Sequence, residues 1–449
     1  MNTVSVDHIQ KNNAFDLLAL INDPARNLRR RLVVAICFAI VAIEGFDAAI
    51  IGFVAPQVAA QFGATPTQMS MAISAGMLGL MLGYMLGGPL SDKRGRHPVL
   101  LIGTAVFGIA SVGTAFSNSL TEVILWRLAT GIGIGAAMPA LSALLGEIIP
   151  NTRRASTLSG VFCGFLFGSA LAGILTGHLI ESVGWKGMFI VGGIAPLLCL
   201  PAIWALIPES PLYLAETGQP QNTIRQALAK IGLSLPTNVQ AFGNKDSTQS
   251  SPGSIRTLFE PQLRQTTILV WLLMFLVLGS FYVIASWLPT LLKAQGASVA
   301  VASKTAALFQ TGGLVGAIVG SVLIRRMKPL LVVWLALAAG AIMPWVISSP
   351  SASPWYMASI FAAGLLISGP IVVINAVIVM TYPTTVRSLG SGTANSIGRL
   401  GSFVSAGSIG WLVQSGISLQ HLIAGISLTV ALCACISFVL YRMAQKSQE

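Results

Sequence analysis

Runs of about twenty nearly uncharged residues recur along the chain, the length an α-helix needs to cross a hydrocarbon core of about 30 Å. Twelve are readable, near 32–54, 70–91, 98–117, 120–146, 156–180, 187–207, 264–288, 303–324, 329–348, 355–380, 389–413 and 418–442. The third and fourth are parted only by Ser117-Asn118-Ser119, which predicts a tight hairpin. The polar intervals are short except for 208–263, which separates six runs from six. The pattern predicts an all-α membrane protein of twelve transmembrane helices in two pseudo-symmetric six-helix halves, 32–207 and 264–442. Around them lie an N-terminal segment (1–31), the linker (208–263) and a tail (443–449). Within the linker, 221–231 reads as a short amphipathic helix and 247–254 as a flexible Ser-rich piece.

The halves resemble one another. Gly88-x-x-x-Asp92-Lys93-Arg94-Gly95-Arg96, after span two, aligns at an offset of 232 with Gly320-x-x-x-Ile324-Arg325-Arg326-Met327-Lys328, after span eight. Pro150-x-x-x-Arg154 aligns at 233 with Pro383-x-x-x-Arg387. Two landmarks at nearly one offset argue for duplicated halves.

Composition agrees with lipid as the solvent, since 54% of the 449 residues are apolar and 9% charged. A soluble domain carries about a quarter charged residues. The net charge of +12 does not point to nucleic acid, because the cations lie in short loops rather than on one soluble face. With both termini cytoplasmic, 21 Lys and Arg fall inside and three (Lys186, Lys293, Lys304) outside, with Arg127 and Arg399 within spans. That bias sets the orientation. The polar start lacks the form of a secretory signal. Five cysteines (Cys37, Cys163, Cys199, Cys433, Cys435) sit in apolar runs without metal-ligand spacing, so packing is their expected role and no metal is expected.

Ionisable side chains within a span cost a few kcal/mol and are functional candidates for that reason. Span one carries Glu44-Gly45-Phe46-Asp47. A spacing of three puts both carboxylates on one helix face, about 5–6 Å apart. Two acids that close in low dielectric do not both ionise easily, so one is suited to take up a proton. At the repeat offset the second half has only Leu276/Val277 and Gly279/Ser280, so the scaffold itself does not need acids there. Arg127 in span four lies at the same depth as Asp47, roughly 10–11 Å below the outer boundary. It is therefore expected to pair with Asp47 or Glu44, to hold an anionic substrate, or to alternate between them; a static ion pair is the plain alternative.

Arg399 sits mid-span between Gly398 and Gly401, where the first half has Leu166. Its planar fork suits a substrate carboxylate, and a packing or gating pair is the competing use. Tyr282, Trp287, Gln310 and Asn375 are candidates to line a cavity for a planar ligand. At the cytoplasmic ends, Gly88, Asp92, Arg96, Glu147, Arg154 and Arg387 form the expected gating set. Glu147 is placed to join Arg153 and Arg154, and Glu209 to cap the short helix after span six. The glycine rows Gly79/Gly83/Gly87 and Gly164/Gly168 have the spacing of close helix packing.

The loop Gly88–Arg96 resembles the signature between spans two and three of the major facilitator superfamily, and Trp126-Arg127-x-x-x-Gly131-x-x-x-Gly135 extends the likeness. Glu44-Gly45-Phe46-Asp47 is similar to the acidic span-one signature of the aromatic acid/proton symporters. Ser286–Thr290, Ala307–Gln310 and Tyr382-Pro383-Thr384-x-x-Arg387 resemble the bacterial 4-hydroxybenzoate/protocatechuate and benzoate transporters. The resemblance implies a protein of the bacterial inner membrane that imports an aromatic carboxylate by alternating access, and a monomer is the default expectation. The proton gradient would drive it, without a cofactor. Glu44, Asp47 and Arg127 would serve proton coupling; Arg127, Arg399, Tyr282, Trp287, Gln310 and Asn375 would bind substrate. Two departures stand out: Glu44 replaces the family's usual Asp, and Ile324 stands at the aspartate position of the second-half loop. A symporter for another organic acid and a proton-driven exporter are the rival transporters. An intramembrane enzyme lacks its nucleophile or paired-acid motifs, and a sensor lacks its signalling domain.

Overall fold

The computed structural model describes residues 10–11, 14–15, 17–22, 28–234, 255–349, 354–383 and 386–446. A short helix α1 (Leu17–Ile21) precedes the first half: α2 (Leu28–Phe62), α3 (Pro66–Arg94), α4 (Arg96–Ala115), α5 (Leu120–Ile148) and α6 (Asn151–Leu206). The linker supplies α7 (Pro211–Glu216) and α8 (Gln221–Lys230); its Ser-rich piece lies outside the described residues. The second half holds α9 (Arg264–Ala294), α10 (Val299–Leu323), α11 (Pro329–Gly340), α12 (Met343–Ser348), α13 (Pro354–Ala363), α14 (Pro370–Thr381), α15 (Arg387–Gln414) and α16 (Leu419–Lys446). Among the described residues the only strand pairing is two residues long, Gln10–Lys11 with Ala14–Phe15.

These elements make twelve crossings among the described residues. The 56-residue α6 would be about 84 Å long if straight, far more than a bilayer. It bends at Gly184, whose φ of 64° favours glycine, and its two arms are spans five and six. Span nine breaks into α11 and α12 ahead of Pro344, which cannot donate back to Gly340. Span ten widens into a π-turn at Gly364–Ser368, just before Pro370. Helix α15 is Ser- and Gly-rich, so ten of the described helices, without α15, pass on length and hydropathy.

Glycines let the helices meet at backbone distance. A Cβ on Gly79, Gly83 or Gly87 of α3 would collide with Leu128, Ile132 or Ala136 of α5. Gly45 and Gly168 seat α2 against α6 in the same way, at Phe165 and Ala42. Beneath the first half, α1, α7 and α8 bury Leu17, Ile21, Leu214, Ile224 and Leu228 in one cluster with Val33, Leu145 and Ile148. Arg30 donates to the Ile21 carbonyl at 3.0 Å, tying α1 to the root of α2.

The halves close on each other at the end away from the termini. Gly52 lies against the Ser286 backbone, Gly407 against Ser74, and Gly173 and Gly177 against Ala307 and Ala300. Thr67 donates to the Gly410 carbonyl at 3.4 Å.

Candidate transport site

Below that closure lies a cavity of about 30 Å³, room for about two waters. Its wall is apolar (Ile51, Ile73, Met77, Leu80, Ile134, Phe165) apart from Glu44, Arg127 and Tyr282. Tyr282 comes from α9 and all the other lining residues from the first half, so the cavity sits where the halves meet.

Asp47 and Arg127 form the innermost pair. Arg127 Nη1 donates to Asp47 Oδ2 at 2.6 Å, and Nη2 reaches the Asp47 carbonyl at 3.5 Å. Asp47 is 0% exposed and Arg127 3%. Ser111 of α4 donates to the other carboxylate oxygen, Oδ1, at 2.7 Å. The guanidinium also lies over the Phe189 ring of α6, 5.6 Å from its centre. A Cβ at Gly76 would stand 3.3 Å from Arg127 Nη2, so this glycine leaves the guanidinium its space beside the cavity. Charges this far from water persist only when each is matched, as these are.

Glu44 faces differently. It is 3% exposed, lines the cavity, and has no hydrogen-bond partner among the described residues. The other half meets it at this cavity through Tyr282. Arg399 donates to the Tyr282 hydroxyl at 3.0 Å and lies 5.4 Å from the centre of the Tyr84 ring. Glu44 and Tyr84 belong to the first half and Tyr282 and Arg399 to the second, so these residues span the boundary between the halves. The two acids of span one therefore do not share a single partner. One is locked to Arg127 within its own half, and the other lines the cavity that Tyr282 of the opposite half completes.

The remaining expected ligand residues are elsewhere. Trp287 donates to the Ala406 carbonyl at 3.4 Å in packed protein, and Asn375 bonds its own helix at Ile371, 3.0 Å away. Gln310 is buried with its Oε1 unpartnered among the described residues. None of the three lines this cavity.

At the terminus-bearing end, Arg96 Nη2 meets Glu147 at 2.9 Å and Asp92 at 3.4 Å, and its guanidinium lies 4.8 Å from the Tyr213 ring centre. Glu147 thus joins Arg96, not Arg153 or Arg154, because the close approach of α4 and α5 brings Arg96 to it. Glu209 does not cap α7; Ser210 does, accepting from Tyr213 N at 3.2 Å. Glu209 reaches across to cap α4 instead, accepting from the backbone N–H of Arg96 at 2.9 Å and of His97 at 3.2 Å. Gly95 allows this, since its φ of 98° and the nearby Glu209 carboxylate both exclude a side chain. Gly88 has open space around it, and the Arg387 side chain lies outside the described residues. Ser111, Tyr84 and Phe165 were not expected from the sequence; a lone serine, tyrosine or phenylalanine in an apolar run carries no periodic signal.

A family model described as the Major Facilitator Superfamily matches residues 37–406. The chain belongs to that superfamily. It is 36% identical over 392 residues to a gallate transporter of Pseudomonas putida, covering 87% of each chain. It is 31% identical over 409 residues to a 4-hydroxybenzoate transporter of Acinetobacter baylyi, covering 90% of each. Among solved structures, the xylose transporter XylE of E. coli in a partially occluded inward-open conformation superposes with a TM-score of 0.70 at 17% identity. The match covers 91% of this chain and 97% of that one. The protein is a multi-pass membrane transporter and not an enzyme.

Proposed function

We propose that the protein is a proton-coupled symporter that carries an aromatic carboxylate into a bacterial cell across the inner membrane, with both termini in the cytoplasm. The observation that carries this is the buried Asp47–Arg127 pair at a small cavity between the halves, a cavity lined also by Glu44 and by Tyr282, whose hydroxyl accepts from Arg399. The transporters of gallate and 4-hydroxybenzoate among the relatives supply the substrate class.

In this reading, the structure corresponds to a carrier closed on the outside after proton release, with Asp47 ionised and held by Arg127. In the outward-open state Asp47 takes a proton and the Arg127 pair loosens, turning a cation toward the cavity. The substrate carboxylate settles on Arg399, whose two-pronged donor geometry suits it. Glu44 competes with the substrate for that cation, so a charged Glu44 keeps the empty site closed to anions. Phe165 and the aliphatic wall enclose the ring. The bound anion also answers the cation that protonated Asp47 has released, which lowers the cost of closing the cavity, and the halves rock. The monomer is the working unit, since one chain holds the whole cavity, and the proton gradient takes the place of a cofactor.

Purified protein in proteoliposomes with an inward proton gradient should accumulate labelled 4-hydroxybenzoate above its outside concentration, and a protonophore should abolish the accumulation. Equilibration alone, unaffected by the protonophore, would leave a facilitator and defeat the proposal.

A further inference from the structure

Ser111 is the uncharged member of the Asp47 cluster, and its hydroxyl has two acceptors. It donates to Asp47 Oδ1 at 2.7 Å, and the Phe189 carbonyl stands 3.4 Å from the same oxygen. Other hydroxyls of α4 bond their own helix, Thr104 to Leu100 at 2.7 Å and Thr114 to Ala110 at 3.0 Å. Ser111 instead reaches two other helices, α2 and α6, and is wholly buried. Local helix chemistry does not account for that.

The groups around Asp47 are few. Arg127 comes from α5, Ser111 from α4, the Phe189 ring and carbonyl from α6, and Glu44 lies one turn away on α2 itself. Helix α3 contributes the bare backbone of Gly76 beside Arg127.

A carboxylate only accepts hydrogen bonds, whereas a carboxylic acid also donates one, and a hydroxyl does both. We propose that Ser111 is a positioning residue that keeps Asp47 hydrogen-bonded in both of its charge states, and so lets Arg127 leave the pair. With Asp47 ionised, Ser111 donates to it, as in this structure. When Asp47 gains a proton, its new O–H donates to Ser111 Oγ, and the serine proton swings to the Phe189 carbonyl. One proton is bound at Asp47 and none at Ser111, whose only change is a rotation about Cβ–Oγ. Without that acceptor, a neutral Asp47 freed from Arg127 would be buried with an unmatched donor, a costly state. The inference rests on the proton-coupled reading above.

The test is net 4-hydroxybenzoate uptake in proteoliposomes across a series of external pH values. Ser111→Ala should lower proton-driven uptake about tenfold and displace the pH of half-maximal rate by about one unit, while Ser111→Thr restores both. Ser111→Cys, similar in size but a weak donor, should repeat the loss if the alanine variant does not reach the membrane. In an Asp47→Asn background Ser111→Ala should not change substrate exchange further. A wild-type pH profile in Ser111→Ala or Ser111→Cys overturns the inference, as does a loss that persists at full size in the Asp47→Asn background. If Asp47→Asn itself still accumulates substrate, the coupling reading fails and not merely the role of Ser111.

Discussion

Asp47 and Arg127 meet at 2.6 Å at positions 80 residues apart in the chain, and Asp47 has no exposed surface. Removing one partner of such a pair leaves an uncompensated buried charge, at a cost of about 3–5 kcal/mol. Arg127→Ala is therefore expected to fold poorly or to lose thermal stability in detergent, whereas Arg127→Ala combined with Asp47→Ala recovers stability without recovering coupled transport. Melting curves of the wild type and the two variants check this.

Glu44 lines the cavity together with Tyr282 of the opposite half, whose hydroxyl Arg399 holds at 3.0 Å. Neutralising Glu44 removes a competitor of the substrate anion. Glu44→Gln is expected to bind 4-hydroxybenzoate more tightly near neutral pH, by roughly threefold to tenfold, and to show a weaker pH dependence of that binding, since only the contribution of Asp47 remains. Isothermal titration on purified protein measures both; unchanged affinity would separate Glu44 from the substrate.

Arg399 holds Tyr282 at 3.0 Å and lies over Tyr84, so its role depends on a planar fork. Arg399→Lys preserves charge and loses that geometry. The expected result is a KM raised about tenfold or more, with protein abundance in the membrane near that of the wild type.

Gly83 of α3 packs on the α5 backbone, while Gly160 of α6 has open space where a Cβ would stand. Gly83→Val should prevent the helices from meeting and lower the yield of folded protein. Gly160→Ala should leave the melting temperature within a few degrees of the wild type or raise it, since alanine favours a helix over glycine by up to about 1 kcal/mol.

The architecture was legible because each span needs only length and apolarity, which no other part of the fold can hide. Even α15, too polar for a simple hydropathy test, was readable from its spacing and its place in the repeat. Equal depth in the membrane made a pairing of Arg127 with an acid of span one legible, but left open whether Asp47 or Glu44 was the partner. The division between the acids was not legible. Helical spacing put Glu44 and Asp47 on one face, but only the approach of α5 decides that Arg127 meets Asp47 and leaves Glu44 to the cavity. Glu209 illustrates the same limit: its local sequence reads as a cap for α7, yet the bend at Gly95 offers it two free N–H groups 112 and 113 residues away. Ser111 was hidden because a membrane serine normally bonds its own helix.

The most direct measurement of the coupling claim is substrate accumulation by Asp47→Asn in proteoliposomes under an imposed inward proton gradient, set beside exchange at equal pH on both sides. The account predicts that Asp47→Asn still exchanges labelled for unlabelled substrate but never raises the inside concentration above the outside one. Accumulation equal to that of the wild type would contradict it.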